Sequence, residues 1–179
     1  ALNEEEIENS QRECHLWTGH LDTAFSFGGK TVSVTGCVHP EQHALAVKIV
    51  GGERLAIALD FPYASIEQKM TMGDFSAQDR HTTVFTPEDT RCAIARHMDD
   101  LHYCAALSWT NAALEITGPH SLILRPSGEM ELTLRYDGEE ITSPNPTFAE
   151  TLAASAAAYA DYWNNGGAID LSESTDERW

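Results

Sequence analysis

The chain has few basic residues and many acidic ones. Its 179 residues include 11 Lys and Arg against 28 Asp and Glu, which gives a formal net charge of −17 at pH 7. Nucleic acids and anionic membrane surfaces attract proteins of the opposite sign, so we expect neither as a partner. A neutral or cationic ligand stays open, and so does the simpler interpretation of a solvated acidic surface.

Long apolar runs are also absent. No stretch approaches the roughly 18 residues that a transmembrane helix needs. The first residues, Ala1 to Glu4, lack the basic and apolar regions of a signal peptide. With 42% hydrophobic residues the chain can still bury a core of its own, so a single globular domain is the first expectation.

Motifs of familiar chemistry are missing as well. The sequence contains no H-E-x-x-H, P-loop, dinucleotide fingerprint or G-x-S-x-G nucleophile elbow. None of the four cysteines has C-x-x-C spacing; they are Cys14, Cys37, Cys92 and Cys104. We expect buried free thiols, with one disulfide as the alternative, and the spacing does not pair them. We therefore predict no catalytic residue, no metal ligand and no cofactor, and the ligand-binding residues are unknown.

Histidines are frequent, but their spacing points to turns. Three pairs are close in sequence: His15 with His20, His39 with His43, and His97 with His102. Pro40 lies within the second pair and prevents the regular helical face on which metal ligands would meet. The third pair flanks Asp99-Asp100, which places nitrogen and oxygen ligands close together but favours a solvated turn. The first pair brackets another predicted turn, Trp17-Thr18-Gly19.

Acidic and aromatic residues provide candidates for sugar chemistry without singling any out. Glycoside hydrolysis needs two carboxyl groups about 5–10 Å apart, and Asp60, Asp74 and Asp79 qualify by type alone. Aromatic rings bind sugars by stacking, yet on strands they are more often core residues. The candidates are Trp17, Trp109, Tyr63 and Tyr103.

Alternation of apolar and polar residues dominates residues 30–136 and predicts antiparallel strands. Glycine and proline separate the runs at hairpin spacing, as at Gly28-Gly29 and Asp137-Gly138. About ten such strands need two packed sheets or a barrel, and we predict a large all-β antiparallel β-sandwich. The predicted core positions are Val32, Val34, Leu45, Val47, Ile57, Leu59, Leu107, Leu132 and Leu134.

Two segments depart from this pattern. Ala64–Thr83 lacks alternation and holds Met70 and Met72, so we interpret it as a long loop. Phe148–Trp163 has helical spacing, and Thr147 with Glu150 is placed like a capping box. We expect the aromatic end of this helix to pack on the sandwich and its alanine flank to face a further domain.

Several short motifs, read in order, resemble one family. They are Leu16–Leu21, Gly29–Val34, Val38–Pro40, Ala46–Ile49, Leu59–Tyr63 and the join Gly166–Ser172. Together they resemble the N-terminal sandwich of bacterial six-hairpin glycosidase-like proteins, related to the glycoside hydrolase family 65 architecture. In that architecture a galactose-mutarotase-like super-sandwich precedes a helical linker and an (α/α)6 barrel.

The resemblance implies a domain plan. Residues 1–143 are then the sandwich, with its first strands upstream of Ala1, and residues 144–179 are the linker and the start of the barrel. The general acid of such families lies in the barrel, so no catalytic residue is transferred to this chain. For the parent protein we expect a periplasmic or extracellular location rather than a cytoplasmic one.

Three functions follow as expectations. The first is a non-catalytic sandwich that buttresses the helical barrel of a carbohydrate-active enzyme, a hydrolase or phosphorylase. Its partners would be that barrel and, through the parent enzyme, carbohydrate. The alternative is a stand-alone carbohydrate-binding module. The third, an independent mutarotase-like sandwich, requires a histidine and a carboxylate pair on one concave face.

Overall fold

The computed structural model describes residues 6–65, 73–167 and 171–176. Most of these residues lie in strands, as the alternation predicts. The strands are β1 (Ile7–His15), β2 (His20–Phe27), β3 (Lys30–Val38), β4 (Ala44–Val50), β5 (Ile57–Asp60), β6 (Tyr63–Ala64), β7 (Gly73–Asp74), β8 (His81–Glu88), β9 (Arg91–Met98), β10 (Leu101–Trp109), β11 (Ala112–Gly118), β12 (Ser121–Pro126) and β13 (Met130–Asp137). A 3₁₀ helix (Gln78–Arg80) precedes β8, and one α-helix, α1 (Phe148–Tyr162), continues into a π-helical turn at Trp163–Gly167.

Two antiparallel sheets form the sandwich. The large sheet has eight strands in the order β1-β2-β3-β4-β13-β10-β9-β8, and the small sheet has three in the order β11-β12-β5. The strands β6 and β7 pair separately. Several neighbours in the large sheet are consecutive in the chain and joined by short turns, as between Phe27 and Lys30, where Gly28 and Gly29 adopt φ of +58° and +77°. Those angles suit a two-residue hairpin turn. The predicted all-β antiparallel sandwich is confirmed.

The main core lies between the two sheets. We call the side of the large sheet that faces the small sheet the inner face. Of the predicted core positions, Val32, Leu107, Leu132 and Leu134 are buried there. Others are half-buried and pack against this core: Val34, Val47, Ile57 and Leu59. Full burial of a Val, Leu or Ile side chain contributes roughly 1.5–3 kcal/mol to the free energy of unfolding.

One predicted core position is wrong. Leu45 lies on the same face of β4 as Val47 and Ile49, yet its side chain is 42% exposed. Its neighbour across the ladder, Val38, is 56% exposed. Both lie at the end of the large sheet that the small sheet does not cover. Alternation assigns a side chain to a face, but it does not say how far the opposing sheet extends over that face.

The opposite side of the large sheet, the outer face, is not uniformly solvated. Cys37 and Ala46 are buried on it, in a second apolar cluster with Phe148 and the half-buried Leu152 of α1. An antiparallel sheet commonly leaves one face to solvent, but here α1 covers part of the outer face of β3 and β4. The helix thus buries this part of the outer face, while the adjacent inner-face residues Val38 and Leu45 stay exposed.

The segment predicted to be a loop contains short regular elements. Ala64–Thr83 contains β7, the 3₁₀ helix and the first residues of β8. Met70 and Met72 lie outside the described residues. The regular elements escape notice in the sequence because two-residue strands and one-turn helices are too short to show a period.

Two further expectations concern the state of the cysteines and the absence of a membrane-spanning helix. All four cysteines are free; Cys37 and Cys92 are buried, Cys104 is half-buried and Cys14 is exposed. The buried free thiol is thus confirmed for two of them, and burial raises the pKa of Cys37 to about 11, which keeps it protonated. Among the described residues, none of the helices has the length and apolar character to cross a membrane.

Candidate functional site

The helix α1 is fastened at its N-terminus by the predicted capping box. The Thr147 backbone N–H donates to Glu150 Oε2 at 2.8 Å, and the Glu150 N–H donates to Thr147 Oγ1 at 3.2 Å. Just before it, the Asn145 amide donates to the backbone carbonyls of Ala106 at 2.7 Å and Thr133 at 3.1 Å. The bonds of Asn145 connect the segment before the helix to β10 and β13 and so fix where the helix begins on the outer face.

The far half of α1 lies on the turn between β1 and β2. The Ser155 hydroxyl donates to the Gly19 carbonyl at 2.9 Å, and Trp163 Nε1–H donates to the Leu16 carbonyl. Gly19 has φ of +63°, and a Cβ built there would lie 2.2 Å from the ring of Tyr159. This close approach requires glycine. We call the turn Leu16–Gly19 the hairpin seat, because it supports the C-terminal half of the helix.

The expectation for the helix surface is only partly met. Trp163 contacts the hairpin seat, but Tyr162 is 59% exposed, so the aromatic end as a whole does not pack on the sandwich. Of the alanines expected on that flank, Ala153 and Ala157 are exposed, whereas Ala154, Ala156 and Ala158 are half-buried. Whether another domain covers this alanine flank stays a prediction.

A cluster of two histidines and one carboxylate lies directly beside the hairpin seat. His15 and His20 are opposite each other in the β1–β2 ladder, and their rings stack at 4.1 Å. His15 Nε2 lies 3.1 Å and His20 Nε2 lies 3.6 Å from Asp22 Oδ2. The other carboxylate oxygen, Oδ1, accepts a hydrogen bond of 2.6 Å from the Thr35 hydroxyl, which is the main cause of the lowered pKa of Asp22.

The sequence analysis predicts the turn between His15 and His20 but not the cluster that these histidines form with Asp22. Opposite positions of an antiparallel pair share a face, and the residue two further along β2 shares it too. The spacing H-x4-H-x-D of His15, His20 and Asp22 therefore carries the signal, once the turn between the histidines is recognised as a hairpin. The sequence analysis predicts the turn at Trp17-Thr18-Gly19, but it does not predict the strand pairing on either side of it.

A second polar cluster lies in the interior and was not predicted. Arg96 is 3% exposed on the inner face of β9. Its guanidinium donates to His81 Nδ1 at 2.7 Å, the Tyr103 hydroxyl at 3.0 Å and the Pro62 carbonyl at 3.1 Å. Among the described residues no carboxylate pairs with Arg96. The ring of Phe61, 5.5 Å from the guanidinium carbon, adds a cation–π contact that offsets part of the desolvation.

His81 is held neutral within this cluster. Arg96 has only protons to donate, so His81 Nδ1 must accept and carries no proton. The ring also stacks on His120 at 3.7 Å. Burial, followed by the charges of His120 and Arg96, lowers the pKa of His81 to about 4. His120 is in turn fixed by Thr83, whose hydroxyl oxygen lies 2.8 Å from Nδ1.

Tyr63 closes this cluster towards the β9–β10 turn. Its hydroxyl donates to Asp99 Oδ2 at 2.6 Å and accepts from Arg80 at 2.6 Å. The hydrogen bond to Asp99 is the main cause of the raised pKa of Tyr63. The expectation that strand aromatics are core residues holds for Tyr63 and Trp109, which are buried; Tyr103 is half-buried, and Trp17 is 62% exposed.

The candidate carboxylates do not form a sugar site among the described residues. Asp60 accepts from the Ser121 hydroxyl at 2.6 Å, and Asp74 accepts from the Ser76 hydroxyl at 2.6 Å, which lowers the pKa of Asp74. Both line one cleft of about 30 Å³. Ligand pockets in proteins are usually about 300–1,000 Å³, so this cleft is too small for a pyranose ring. Asp79 lies in the 3₁₀ helix.

The remaining histidine pairs behave as turn and surface residues. His39 Nδ1 accepts from the backbone N–H groups of Glu41 and Gln42, which closes the turn that contains Pro40. His97 and His102 are exposed and opposite each other across β9 and β10, with ring centroids 6.1 Å apart. The turn predicted at Asp99-Asp100 joins these two strands.

The fold is similar to that of a solved structure described as "Putative kojibiose phosphorylase from human microbiome". The TM-score is 0.59 at 7% sequence identity, and the match covers 88% of this chain and 25% of that chain. This chain thus corresponds to about a quarter of the protein it resembles. No family model matches the sequence, and no curated protein is significantly similar to it. At this identity the likeness shows the fold: the architecture that the family resemblance implies is confirmed as a sandwich, and no activity is transferred.

Proposed function

We propose that this chain is the non-catalytic β-sandwich portion of a carbohydrate-active enzyme and that it buttresses a helical catalytic barrel. The observation that carries the proposal is the match of most of this sandwich to about a quarter of a phosphorylase chain. In the glycoside hydrolase family 65 architecture, which the sequence motifs resemble, such a sandwich precedes the barrel. The substrate class of the parent enzyme would be a small glucoside, handled by hydrolysis or phosphorolysis.

The helix supports the same proposal. Hydrogen bonds hold it along its length. The capping box and Asn145 act at its N-terminus, Ser155 at its middle and Trp163 just after its C-terminus. Its outward alanine flank carries little side-chain bulk, so another helix can approach it closely. A rigidly held helix with a small-residue flank is suited to orient a neighbouring domain relative to the sandwich.

The charge distribution gives no competing role. A net charge of −17 disfavours nucleic acid and membrane partners. Among the described residues, Asp60 and Asp74 share only a small cleft of about 30 Å³, which supports a role without hydrolysis by this chain itself. We infer that the reacting groups belong to the barrel.

Turnover of disaccharides tests the proposal. The 179-residue chain and the complete product of its gene would each be incubated with kojibiose and other glucose disaccharides, with and without phosphate, and released glucose would be measured. We expect turnover by the complete product alone. Turnover by the isolated chain, or a complete gene product that has no helical barrel and no activity, would overturn the proposal.

Two further measurements separate the alternatives. Calorimetric titration of the isolated chain with the same sugars tests the stand-alone binding module, and saturable binding would favour that function. Polarimetry of freshly dissolved α-glucose tests the mutarotase-like function, and catalysed mutarotation by the isolated chain would favour it. We expect neither.

A further inference from the structure

The three donor atoms beside the hairpin seat already lie near the geometry of a metal site. One ligand atom from each of His15, His20 and Asp22 lies within 4.8 Å of the other two, and Asp22 Oδ2 is 3.1 Å from His15 Nε2 and 3.6 Å from His20 Nε2. In a tetrahedral zinc site with bonds of about 2.0–2.1 Å, neighbouring ligand atoms lie about 3.3–3.5 Å apart. The spacing therefore suits one ion, and the two histidine rings, stacked 15° from parallel, would turn out of their stacking so that both nitrogens point at it.

The second atom of two of these ligands is held by a hydroxyl group. Thr18 Oγ1 lies 2.9 Å from His20 Nδ1, and the Thr35 hydroxyl donates to Asp22 Oδ1 at 2.6 Å. These contacts leave Nε2 of His20 and Oδ2 of Asp22 as the atoms available to a metal ion. Metal sites use such outer hydrogen bonds to fix the tautomer of a histidine and the orientation of a carboxylate.

We propose that His15, His20 and Asp22 bind one zinc ion at the end of the β1–β2 hairpin. Two imidazoles and one carboxylate are ligands that Zn²⁺ accepts, and a water molecule would take the fourth position. The ligands remain reachable from solvent, because the side chains of His15 and Asp22 are 30% and 44% exposed. Glu13, whose carboxylate lies 3.9 Å from His15 Nδ1, adds negative charge that favours a cation here.

The ion would stabilise the hairpin seat and, through it, the helix. His15 and His20 bracket the turn whose carbonyls accept the hydrogen bonds of Ser155 and Trp163. Zinc bound across the two strands would hold the ends of that turn together. The inference is independent of the proposed enzyme role, since it rests only on the residues of this chain.

The competing explanation is a hydrogen-bonded triad without metal. In that case His15 Nε2–H donates to Asp22, and the same atoms are satisfied without an ion. The triad and the metal site predict opposite results in a metal titration, because only the metal site gives saturable binding with a stoichiometry of one.

The test is calorimetric titration of the 179-residue chain with Zn²⁺, together with the visible absorption of bound Co²⁺ as a report of tetrahedral geometry. The Cys14→Ser background removes the exposed thiol near the hairpin. We expect one ion per chain, loss of saturable binding in His20→Ala and Asp22→Asn, and at least about tenfold weaker binding in Thr35→Val. His102→Ala removes an exposed histidine of a different stacked pair, His97 with His102, and should bind as the parent does.

The outcomes separate cleanly. Asp22→Asn keeps the shape of the side chain, so it reports on the site even if His20→Ala fails to fold, which circular dichroism shows. Binding that persists in Asp22→Asn, or that is lost in His102→Ala, would overturn the assignment. An absence of saturable binding in the parent would do the same and leave the hydrogen-bonded triad.

Discussion

Acid should destabilise this fold through His81 before most carboxylates are protonated. His81 Nδ1 accepts a hydrogen bond from the buried guanidinium of Arg96, so a proton on that nitrogen would remove the bond and place two positive charges together. The unfolded chain takes up the proton near the ordinary histidine pKa of 6.5, whereas the folded chain does so near 4. The unfolded state therefore binds more protons in this window, and lowering the pH favours unfolding.

The magnitude follows from the two pKa values. Their difference, from 6.5 to about 4, corresponds to about 3 kcal/mol at about 1.4 kcal/mol for each tenfold change in proton affinity. This stability is present in full above pH 6.5 and is lost as the pH falls from there to about 4. It is a large share of the ~5–15 kcal/mol that stabilises a typical domain.

Urea unfolding at a series of pH values measures the effect. The variant His81→Asn keeps an acceptor near the Nδ1 position but does not titrate, so its unfolding free energy should fall less steeply between pH 6.5 and 4. His102→Asn, at an exposed histidine, should retain the steep dependence of the parent. Equal pH dependence in the parent and in His81→Asn would refute the reasoning, as would an NMR titration that finds the His81 imidazole protonated near pH 6.5.

Two matched pairs of variants test packing. Leu107→Ala should lower the unfolding free energy by about 2–5 kcal/mol because Leu107 is fully buried, whereas Leu45→Ala should cost less than about 1 kcal/mol because that side chain is 42% exposed; similar losses in urea unfolding would contradict the assignment of the uncovered sheet end. Gly19→Ala should lower the melting temperature more than Gly29→Ala, because both glycines have positive φ but only the Cβ at Gly19 meets the Tyr159 ring. Equal shifts would mean that the helix does not press on the hairpin seat.

The features that the sequence predicted are local ones. The Gly28-Gly29 hairpin turn and the capping box of Thr147 and Glu150 are set by residues within four positions of one another, so their residue types suffice. Alternation likewise assigned Leu107 to the buried face. In each case the residue pattern that predicts the feature lies within a single strand, turn or helix.

The features that escaped prediction depend on distant parts of the chain. Leu45 is exposed because the small sheet, built from β5, β11 and β12, does not extend over it, and nothing near Leu45 in the sequence says so. Arg96 is buried against residues from other elements, such as Pro62 and His81. The cluster of His15, His20 and Asp22 lies between these cases, since it becomes visible once the register of one hairpin is known.

The central claim is that this sandwich supports a further domain, and a substitution on the alanine flank, where that domain would dock, tests it most directly. Ala153→Arg would be introduced into the isolated chain and into the complete gene product, with Asp89→Arg in the exposed β8–β9 turn as the control. In the isolated chain Ala153→Arg should leave the melting temperature nearly unchanged, because Ala153 is exposed. In the complete product it should lower the melting temperature and the disaccharide turnover, while the control changes neither. Unchanged stability and turnover of the complete product with Ala153→Arg would contradict the account.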